Sequence, residues 1–338
     1  MSGPPSPGQL FLVREIVVDP GQSPLRVDRF LVDRLENVSR AFLQKALERG
    51  MVWVGGAPVK ASYRVKPGEV VGVYQEEEPR EVEVLPEDIP LDVVYEDEDL
   101  LVVNKPAGMV VHPGHGHFSG TLVNALLHHF RDLPLFRAGG MRPGLAHRID
   151  KDTSGLLAVG KSEQAMQSLG QQFLAKSTTR SYLALVWGRF DAEEGRVEGH
   201  IGRDPRDRQR QRVFPGGEQG KPAVTHYRVL EPYQFASLLE CRLETGRMHQ
   251  IRVHMQHIQH PLFGDARYGG DQVLRGVDTS QYRDFIHRAL AACPRQALHA
   301  QSLGLLHPVS GEPLSFSVPP PPDMQTLLAL WRGYVQNL

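Results

Sequence analysis

The chain has 338 residues, of which 41% are hydrophobic, which fits one large globular domain or two ordinary ones. No apolar run is long enough to span a membrane, and the N-terminus lacks the basic start and apolar core of a secretion signal. Cys241 and Cys293 are the only cysteines and show no metal or redox spacing, so we expect reduced thiols in a cytoplasmic protein.

Charge is unevenly distributed, although the formal net charge is only −1. Residues 25–75 hold nine Lys/Arg and five Asp/Glu, whereas residues 76–99 hold twelve acidic residues and one arginine. The remaining chain after residue 99 is net basic. Two basic segments separated by an acidic connector permit a nucleic-acid partner despite the near-neutral total.

The N-terminal part predicts a small α/β unit. We expect a flexible start with one short strand over residues 1–24 and a domain over residues 25–75. Asp28 is placed to cap a first helix, while Ser39 and Gly50 are placed to begin and end a second one. A hairpin is then predicted around the Gly-Gly pair of "VWVGGAPVK".

The second helix of this unit is basic. Its positions Arg40, Lys45 and Arg49 fall on or beside one face. Such a face suits contact with an RNA phosphate backbone, and on charge alone it suits a plain solvated surface equally well.

After an acidic linker over residues 76–90, the segment 91–338 predicts a second, larger domain. Amphipathic helices are indicated by "SEQAMQSLGQQFLAK" with Ser162 as its cap, by "IRVHMQHI" and by the final "MQTLLALWRGY", and a strand is indicated by "TTRSYLALVWG". Strands and helices without regular βα alternation favour an α+β fold over a doubly wound sheet.

The segment "AHRIDKDTSGLLAVG" places a dense polar group directly before an apolar strand. A loop fixed to a buried strand is a good support for a catalytic residue. Asp152, with its neighbours Thr153 and Ser154, is best interpreted as a turn whose side chains bond their own backbone. Asp150 precedes that turn, and a partly desolvated carboxylate there needs a cationic partner to remain ionised.

The segment "ETGRMHQIRVH" offers that partner. Gly246 permits a bend, and Arg247 and Arg252 then point in different directions on a helix, so that one faces a phosphate while the other faces inward. An arginine suits an inward pair because its planar fork binds a carboxylate through two parallel hydrogen bonds.

Two histidine clusters and an arginine-rich loop raise further possibilities. The clusters lack an HExxH motif and matching Cys or carboxylate spacing, so we predict no metal site and interpret them as loop and helix residues near RNA. They comprise His112, His115 and His117, and His254, His257 and His260. The loop over residues 203–214, with Arg208 and Arg210, is either solvated or placed against an RNA backbone.

Several motifs together resemble the RluA/RluD-type pseudouridine synthases. They run in the family's order from about residue 90 to residue 320, and their number makes the resemblance specific. They are "LLVVNKPAGMVVHPG", "AHRIDKDTSGLLAVGKS", "RSYLALVWG", "IGRDPRDRQR" with "GKPAVTHYRVL", "ETGRMHQIRVHMQHIQHPLFGD" and "LHAQSLGLLHP". Residues 25–75 also resemble the small RNA-binding domain, first named for a ribosomal protein, that many members carry.

This resemblance implies isomerisation of uridine to pseudouridine in RNA, on a central mixed, mainly antiparallel sheet with flanking helices. It implies that Asp150 is the essential carboxylate, that Arg252 pairs with it, and that Tyr182 stacks on the base and helps remove the proton from carbon five. It places His147 and Arg148 near a flipped-out nucleotide. The residues expected to bind RNA or substrate are His147, Arg148, Lys105, Arg247, Arg40, Lys45, Arg49, Arg208 and Arg210.

We therefore expect a monomeric RNA pseudouridine synthase without a cofactor, acting on ribosomal RNA of the large subunit. The carboxylate either attacks the anomeric carbon or removes the neighbouring ribose proton, and the sequence leaves both routes open. Two rival hypotheses are an RNA-folding chaperone that only binds, and a glycoside hydrolase that uses Asp150 with Asp152.

Overall fold

A computed structural model of the chain describes residues 10–19, 21, 23–35, 40–75, 84–114, 117–133, 136, 144–207 and 209–336. The chain forms two compact units, residues 1–82 and residues 83–338. Each unit has its own hydrophobic core.

The N-terminal unit packs two helices and a small sheet around a common core. The helices are α1 (Val27–Arg34) and α2 (Arg40–Glu48). The strands are β1 (Phe11–Val17), β2 (Leu25–Arg26), β3 (Val52–Val54), β4 (Ala57–Pro58), β5 (Arg64–Val65) and β6 (Val70–Gln75). The sheet order is β1-β6-β3-β4, and β2 pairs with β5. The predicted hairpin is confirmed as the β3–β4 pair.

Four local expectations for this unit meet different outcomes. Gly50 follows the end of α2 in the left-handed conformation (φ 70°), as predicted for a helix stop. Asp28 is not the N-cap residue of α1, which is Arg26. Its buried carboxylate lies within the first turn, where it binds the Arg26 side chain and accepts a hydrogen bond from the Arg29 amide. Ser39 lies outside the described residues. The strand expected in a flexible start, β1, is hydrogen-bonded along its length to β6 and so belongs to the sheet.

The C-terminal unit is built on one large sheet with helices on both faces. Its strands are β7 (Val93–Glu96), β8 (Leu100–Lys105), β9 (Ser154–Gly160), β10 (Thr179–Trp187), β11 (Glu194–Arg203), β12 (Gln211–Phe214), β13 (Lys221–Pro232), β14 (Ala236–Leu243), β15 (Leu298–Leu306) and β16 (Pro313–Ser317). Its helices are α3 (Leu122–His129), α4 (Glu163–Ala175), α5 (Gln250–His257), α6 (Ser280–Ala292) and α7 (Pro322–Gln336).

The sheet is mixed and mainly antiparallel, which confirms the predicted fold class. Its order is β12-β11-β13-β14-β10-β15-β9-β8-β7, with β16 paired to β15. The pair β9–β15 is parallel, and the other pairs between described strands are antiparallel. The predicted strand over "TTRSYLALVWG" and the helices capped by Ser162 and over "IRVHMQHI" are confirmed as β10, α4 and α5.

Strand β10 separates the two hydrophobic layers of this unit. Its side chains alternate, so that Ala184 and Val186 join the layer that includes α3 and α5, while Leu185 and Trp187 join the layer of α6 and α7. Both faces of β10 are therefore buried, which explains why its sequence is apolar nearly throughout.

A glycine makes the parallel pairing of β9 and β15 possible. Gly155 lies opposite Ala300 with φ at 117°, and an added Cβ would stand 2.2 Å from the Ala300 carbonyl oxygen. Only glycine fits a backbone this close. The close approach fixes the start of β9, and with it the polar loop that comes directly before this strand.

Candidate active site

A cleft in the C-terminal unit collects most of the predicted catalytic residues. It encloses about 120 Å³ and is formed by the polar loop before β9, by strand β10 and by the segment that leads into α5. Its lining comprises Arg148, Ile149, Asp150, Thr153, Arg180, Tyr182, Leu243, Gly246, Arg247, Met248, His249, Gln250, Ile251, Arg252 and Leu298. We call it the Asp150 cleft.

Asp150 and Arg252 meet in this cleft although 102 positions separate them in sequence. The Arg252 Nη1 donates a hydrogen bond of 3.0 Å to the Asp150 Oδ2. The carboxylate is 19% exposed and the guanidinium 7%. Arg252 therefore holds the carboxylate in place while leaving it accessible from the cleft.

A second aspartate, Asp265, fixes Arg252 from the other side. Its Oδ2 and Oδ1 accept hydrogen bonds of 2.7 and 2.9 Å from the Arg252 Nε and Nη2, in the two-point geometry that arginine favours. Burial works against the charged guanidinium, but the hydrogen bonds and charge of Asp265, followed by those of Asp150, raise the pKa of Arg252 above its usual value. The arginine is thus permanently charged and cannot rotate away from Asp150 without breaking two buried bonds.

Tyr182 lies on β10 and lines the same cleft with only 7% of its surface exposed. Burial, more than the charge of nearby Asp150, raises the pKa of its phenol above the usual value. The phenol is therefore neutral at physiological pH, with an aromatic ring beside the carboxylate.

His249 is a further cleft residue that the sequence did not single out. Its Nε2 lies 4.0 Å from the Asp150 Oδ2, and its Nδ1 lies 2.9 Å from the Tyr268 hydroxyl. The residue is in the left-handed conformation (φ 56°), which costs a non-glycine residue about 1–2 kcal/mol. Burial lowers the pKa of His249 more than the charge of Asp150 raises it, so the ring is neutral at physiological pH.

Lys105 was expected to contact RNA, and its position does not support that role. It is 1% exposed, and its Nζ donates hydrogen bonds to the carbonyls of Pro106 (2.7 Å), Met109 (2.8 Å) and Lys151 (2.9 Å). The bond to Lys151 attaches the end of β8 to the residue that follows Asp150. Burial lowers the pKa of Lys105 to about 7, opposed by the charges of Asp152 and Asp150.

The turn after Asp150 is held mainly by distant residues. The Thr153 amide donates to the Asp150 carbonyl at 3.1 Å, which is the local turn bond. The other bonds come from the segment around β15, where Arg295 donates to the Asp152 carbonyl at 2.9 Å and His299 bonds the Ser154 hydroxyl at 2.9 Å. The expected bonding of these side chains to their own backbone is therefore replaced by tertiary contacts.

His147 is likewise held within the protein. Its Nε2 accepts a hydrogen bond of 2.9 Å from the Ala158 amide of β9, and its ring stacks on Phe173 of α4 at 4.2 Å. Burial, with a smaller contribution from the charge of Arg180, lowers the pKa of His147 to about 3. The ring is neutral and fixes the start of the loop against its strand.

The other residues expected to bind RNA lie at several places. Arg148 is exposed and Arg247 half-buried, and both line the Asp150 cleft. Arg210 lies over the Tyr268 ring at 5.2 Å. Lys45 and Arg49 are exposed on α2 of the N-terminal unit. Arg40 belongs to the same helix, but the structure does not describe its side chain. Arg208 lies outside the described residues.

The histidine clusters do not form a metal-type group in the described part of the chain. No group of three or more His, Cys, Asp or Glu side chains in that part is arranged to hold a metal ion. His254 bonds Thr225, His260 bonds the Trp187 carbonyl, and His115 lies outside the description. No helix in the same ranges combines the length and apolar character needed to cross a bilayer.

Comparison with known proteins decides the family. Residues 99–257 match the model for RNA pseudouridylate synthase, and residues 25–71 match the S4 domain. A Bacillus subtilis protein named "Uncharacterized RNA pseudouridine synthase YlyB" is 46% identical over 93% of this chain and 96% of its own length. The "Ribosomal large subunit pseudouridine synthase D" of Xylella fastidiosa is 44% identical over 94% of this chain and 92% of its own. The chain belongs to the RluA/RluD-type RNA pseudouridine synthases. It is therefore an isomerase that acts on RNA.

A solved structure supports the same assignment. "Human RNA Pseudouridylate Synthase Domain Containing 1" is 28% identical, has a TM-score of 0.52, and covers 75% of this chain and 91% of its own. The family resemblance inferred from the motifs is thus confirmed, and so is the S4-type RNA-binding domain near the N-terminus. Membership in this family argues against the glycoside hydrolase and binding-only hypotheses.

Proposed function

We propose that this pseudouridine synthase modifies uridine in large-subunit ribosomal RNA, with Asp150 as the essential carboxylate acting on a flipped-out nucleotide. The ribosomal target rests on relatives named for the large subunit, one of them 44% identical over most of both chains. The role of Asp150 rests chiefly on its pairing with Arg252 inside the cleft that also contains Tyr182.

The carboxylate of Asp150 offers one oxygen to the substrate. Its contacts with described residues, from Arg252 at 3.0 Å and His249 at 4.0 Å, both involve Oδ2. We therefore assign the reaction to Oδ1, either as the nucleophile at the anomeric carbon or as the base for the neighbouring ribose proton. Arg252 serves both routes equally because it keeps the carboxylate oriented while the bond to nitrogen one of uracil breaks.

Tyr182 is proposed to hold the detached uracil. A neutral, buried aromatic ring beside the carboxylate is a suitable stacking surface for a planar base during its rotation. The hydroxyl of the same side chain is the group we assign to relay the proton that leaves carbon five, after that carbon has joined the ribose: its oxygen accepts this proton while its own proton passes to water.

The cleft suits a single nucleotide more than a duplex, so the target uridine has to leave its stack. Flipping costs a few kcal/mol, and contacts between basic side chains and the RNA backbone can offset that cost. Arg148, exposed beside Asp150, and the S4 domain are the parts we assign to these contacts.

The direct test is the Asp150→Asn variant in a tritium-release assay on RNA labelled at carbon five of uridine. The amide keeps the size of the side chain but removes its negative charge, so we expect the rate to fall at least about 10³-fold. RNA affinity and the unfolding midpoint should stay close to wild type. Undiminished tritium release would refute the assignment of Asp150.

The target is tested by mapping pseudouridine across total RNA from cells with and without this protein. We expect sites in large-subunit ribosomal RNA to disappear when the protein is removed. If only transfer RNA sites disappear, the ribosomal part of the proposal is wrong while the role of Asp150 stands.

A further inference from the structure

A second cavity adjoins the Asp150 cleft in the C-terminal unit, and neither the family match nor the proposed chemistry assigns it a role. The two cavities share Arg148, Arg180, Gly246 and Arg247 at their junction. From there the second cavity runs past Phe173 toward the C-terminal end of α4. We call it the Arg180 groove.

The groove is positively charged. Its lining contains the cations Arg148, Lys176, Arg180 and Arg247 and one acidic residue, Glu244. Glu244 is already paired, because the His226 Nε2 lies 2.6 Å from its Oε1. An anion entering the groove would therefore meet several cations and little opposing charge.

Arg180 occupies the junction and has unused bonding capacity. It lies on β10 two positions before Tyr182, so both side chains project from the same face of the strand. Among the described residues, its buried Nε has no hydrogen-bond partner and no carboxylate pairs with its guanidinium. Buried cationic donors are normally paired, so this arrangement points to an acceptor supplied from outside the protein.

The guanidinium is nevertheless held in position. Its central carbon lies 5.3 Å from the centre of the Phe173 ring. On the other side, its Nη1 lies 3.2 Å from the place where a Cβ on Gly246 would stand, so a side chain at position 246 would displace it. A fixed guanidinium whose Nε has no acceptor among the described residues, at the mouth of a cationic groove, is well suited to the oxygens of a phosphodiester.

We propose that the Arg180 groove binds one of the two phosphodiesters that flank the target uridine, with Arg180 as the central ligand. This inference rests on the proposed function, because a uridine in the Asp150 cleft carries its backbone past the junction of the two cavities. Binding there would fix the ribose relative to Asp150, so its effect should appear in the rate as well as in RNA affinity.

The experiment uses the full chain and an RNA hairpin that contains the mapped target uridine. Two further hairpins each carry a single uncharged methylphosphonate, on the 5′ or the 3′ side of that uridine. For wild type we expect one of the two methylphosphonates to lower kcat/KM by about 10-fold to 100-fold, the usual equivalent of one charge-assisted hydrogen bond. If both are isomerised as well as the ordinary hairpin, the proposal is overturned without the need for any variant.

The Arg180→Met variant is combined with the methylphosphonate hairpins in a double-mutant cycle. We expect it to lose a similar factor on the ordinary hairpin and to show no additional loss on the sensitive methylphosphonate hairpin, since both changes remove the same contact. If the two losses multiply instead, Arg180 does not bind that phosphate and its role is structural. The matched control is Arg242→Met, which removes an exposed arginine of β14 that pairs with Glu240 outside both cavities. This control should keep the full sensitivity of wild type.

Failure of the proposed function would look different. In that case wild type would release no tritium from the ordinary hairpin, before any phosphate is altered. If mapping shows another RNA to be the substrate, the same three hairpins are built on that site, and the inference on the groove is tested unchanged.

Discussion

By the floor of the Asp150 cleft we mean Asp150, Arg252 and Asp265. The charged side chains of this floor are more completely paired than those of the adjoining Arg180 groove. On the floor, Arg252 makes three hydrogen bonds to Asp150 and Asp265. In the groove, the Nε of Arg180 has no acceptor among the residues that the structure describes. The groups assigned to the chemistry are thus oriented by the protein before RNA arrives, whereas the groups assigned to binding keep capacity for the ligand.

The largest expected difference between the two regions is in stability. Arg252→Met leaves Asp265 buried without its cation, so we expect the free energy of unfolding to fall by about 3–5 kcal/mol. Arg180→Met should lower it by less than about 1 kcal/mol, because no buried carboxylate loses its partner. Urea titration of both variants measures the contrast. Equal losses would mean that the two arginines are held alike and that the comparison is mistaken.

A double variant separates lost pairing from lost packing at this site. Arg252→Met combined with Asp265→Asn removes the uncompensated negative charge at position 265. The asparagine oxygen can still accept the hydrogen bonds that the backbone amides of Arg267 and Tyr268 donate to Asp265. We expect the double variant to be more stable than Arg252→Met alone.

Lys105→Met should have an intermediate effect. It deprives three buried carbonyls of their donor, and we expect a loss of about 1–3 kcal/mol in the free energy of unfolding. The single-turnover rate should also fall because the Lys151 carbonyl next to Asp150 is released. RNA affinity should not change, since the ammonium is buried. Weaker RNA binding with an unchanged rate would restore the original expectation of an RNA contact at Lys105.

The last expected effect is a pH dependence at His147, which is measured as a slope. Its pKa is about 3 in the folded protein and near 6.5 when unfolded, so between these values the unfolded chain binds one more proton. The free energy of unfolding should therefore fall as the pH falls below 6.5, and His147 should contribute about 1.4 kcal/mol per pH unit to that slope.

The His147→Gln variant measures this contribution, because glutamine keeps an acceptor for the Ala158 amide and does not titrate. Unfolding curves at pH 6.0, 5.5 and 5.0 should show a shallower slope for the variant. Identical slopes would mean that His147 is protonated in the folded state. His147 would then resemble the incompletely paired side chains of the Arg180 groove more than the fully paired side chains of the cleft floor.

The sequence predicted those features that depend on local pattern or on the chemistry of single residues. Alternation and capping were enough to predict β10 and α4. The need of a partly desolvated carboxylate for a cation led from Asp150 to the pair Arg247 and Arg252. The family resemblance then favoured Arg252, whose Nη1 lies 3.0 Å from the Asp150 Oδ2. The family resemblance supplied what periodicity cannot, namely the reaction and the place of Tyr182.

What the sequence did not predict depends on contacts between distant segments. Nothing in the pattern around Asp265 marks it as the second partner of Arg252, and the left-handed backbone of His249 becomes visible only in three dimensions. Lys105 was expected to bind RNA or substrate, but it is buried and the carbonyls of two loops close around its ammonium. Asp28 was expected to cap α1, but Arg26 is the N-cap residue and the Asp28 carboxylate lies within the first turn.

The parallel seam between β9 and β15 has a consequence for when this enzyme becomes active during synthesis. Ser154 and His299 pair across 145 positions, and Arg295 and Gln296 hold the two residues before Ser154. A nascent chain therefore contains Asp150 long before the segment that fixes its loop has left the ribosome. The carboxylate that we propose as catalytic is translated near the middle of the chain but gains its final orientation only near the end, so we expect a partly made chain to be inactive.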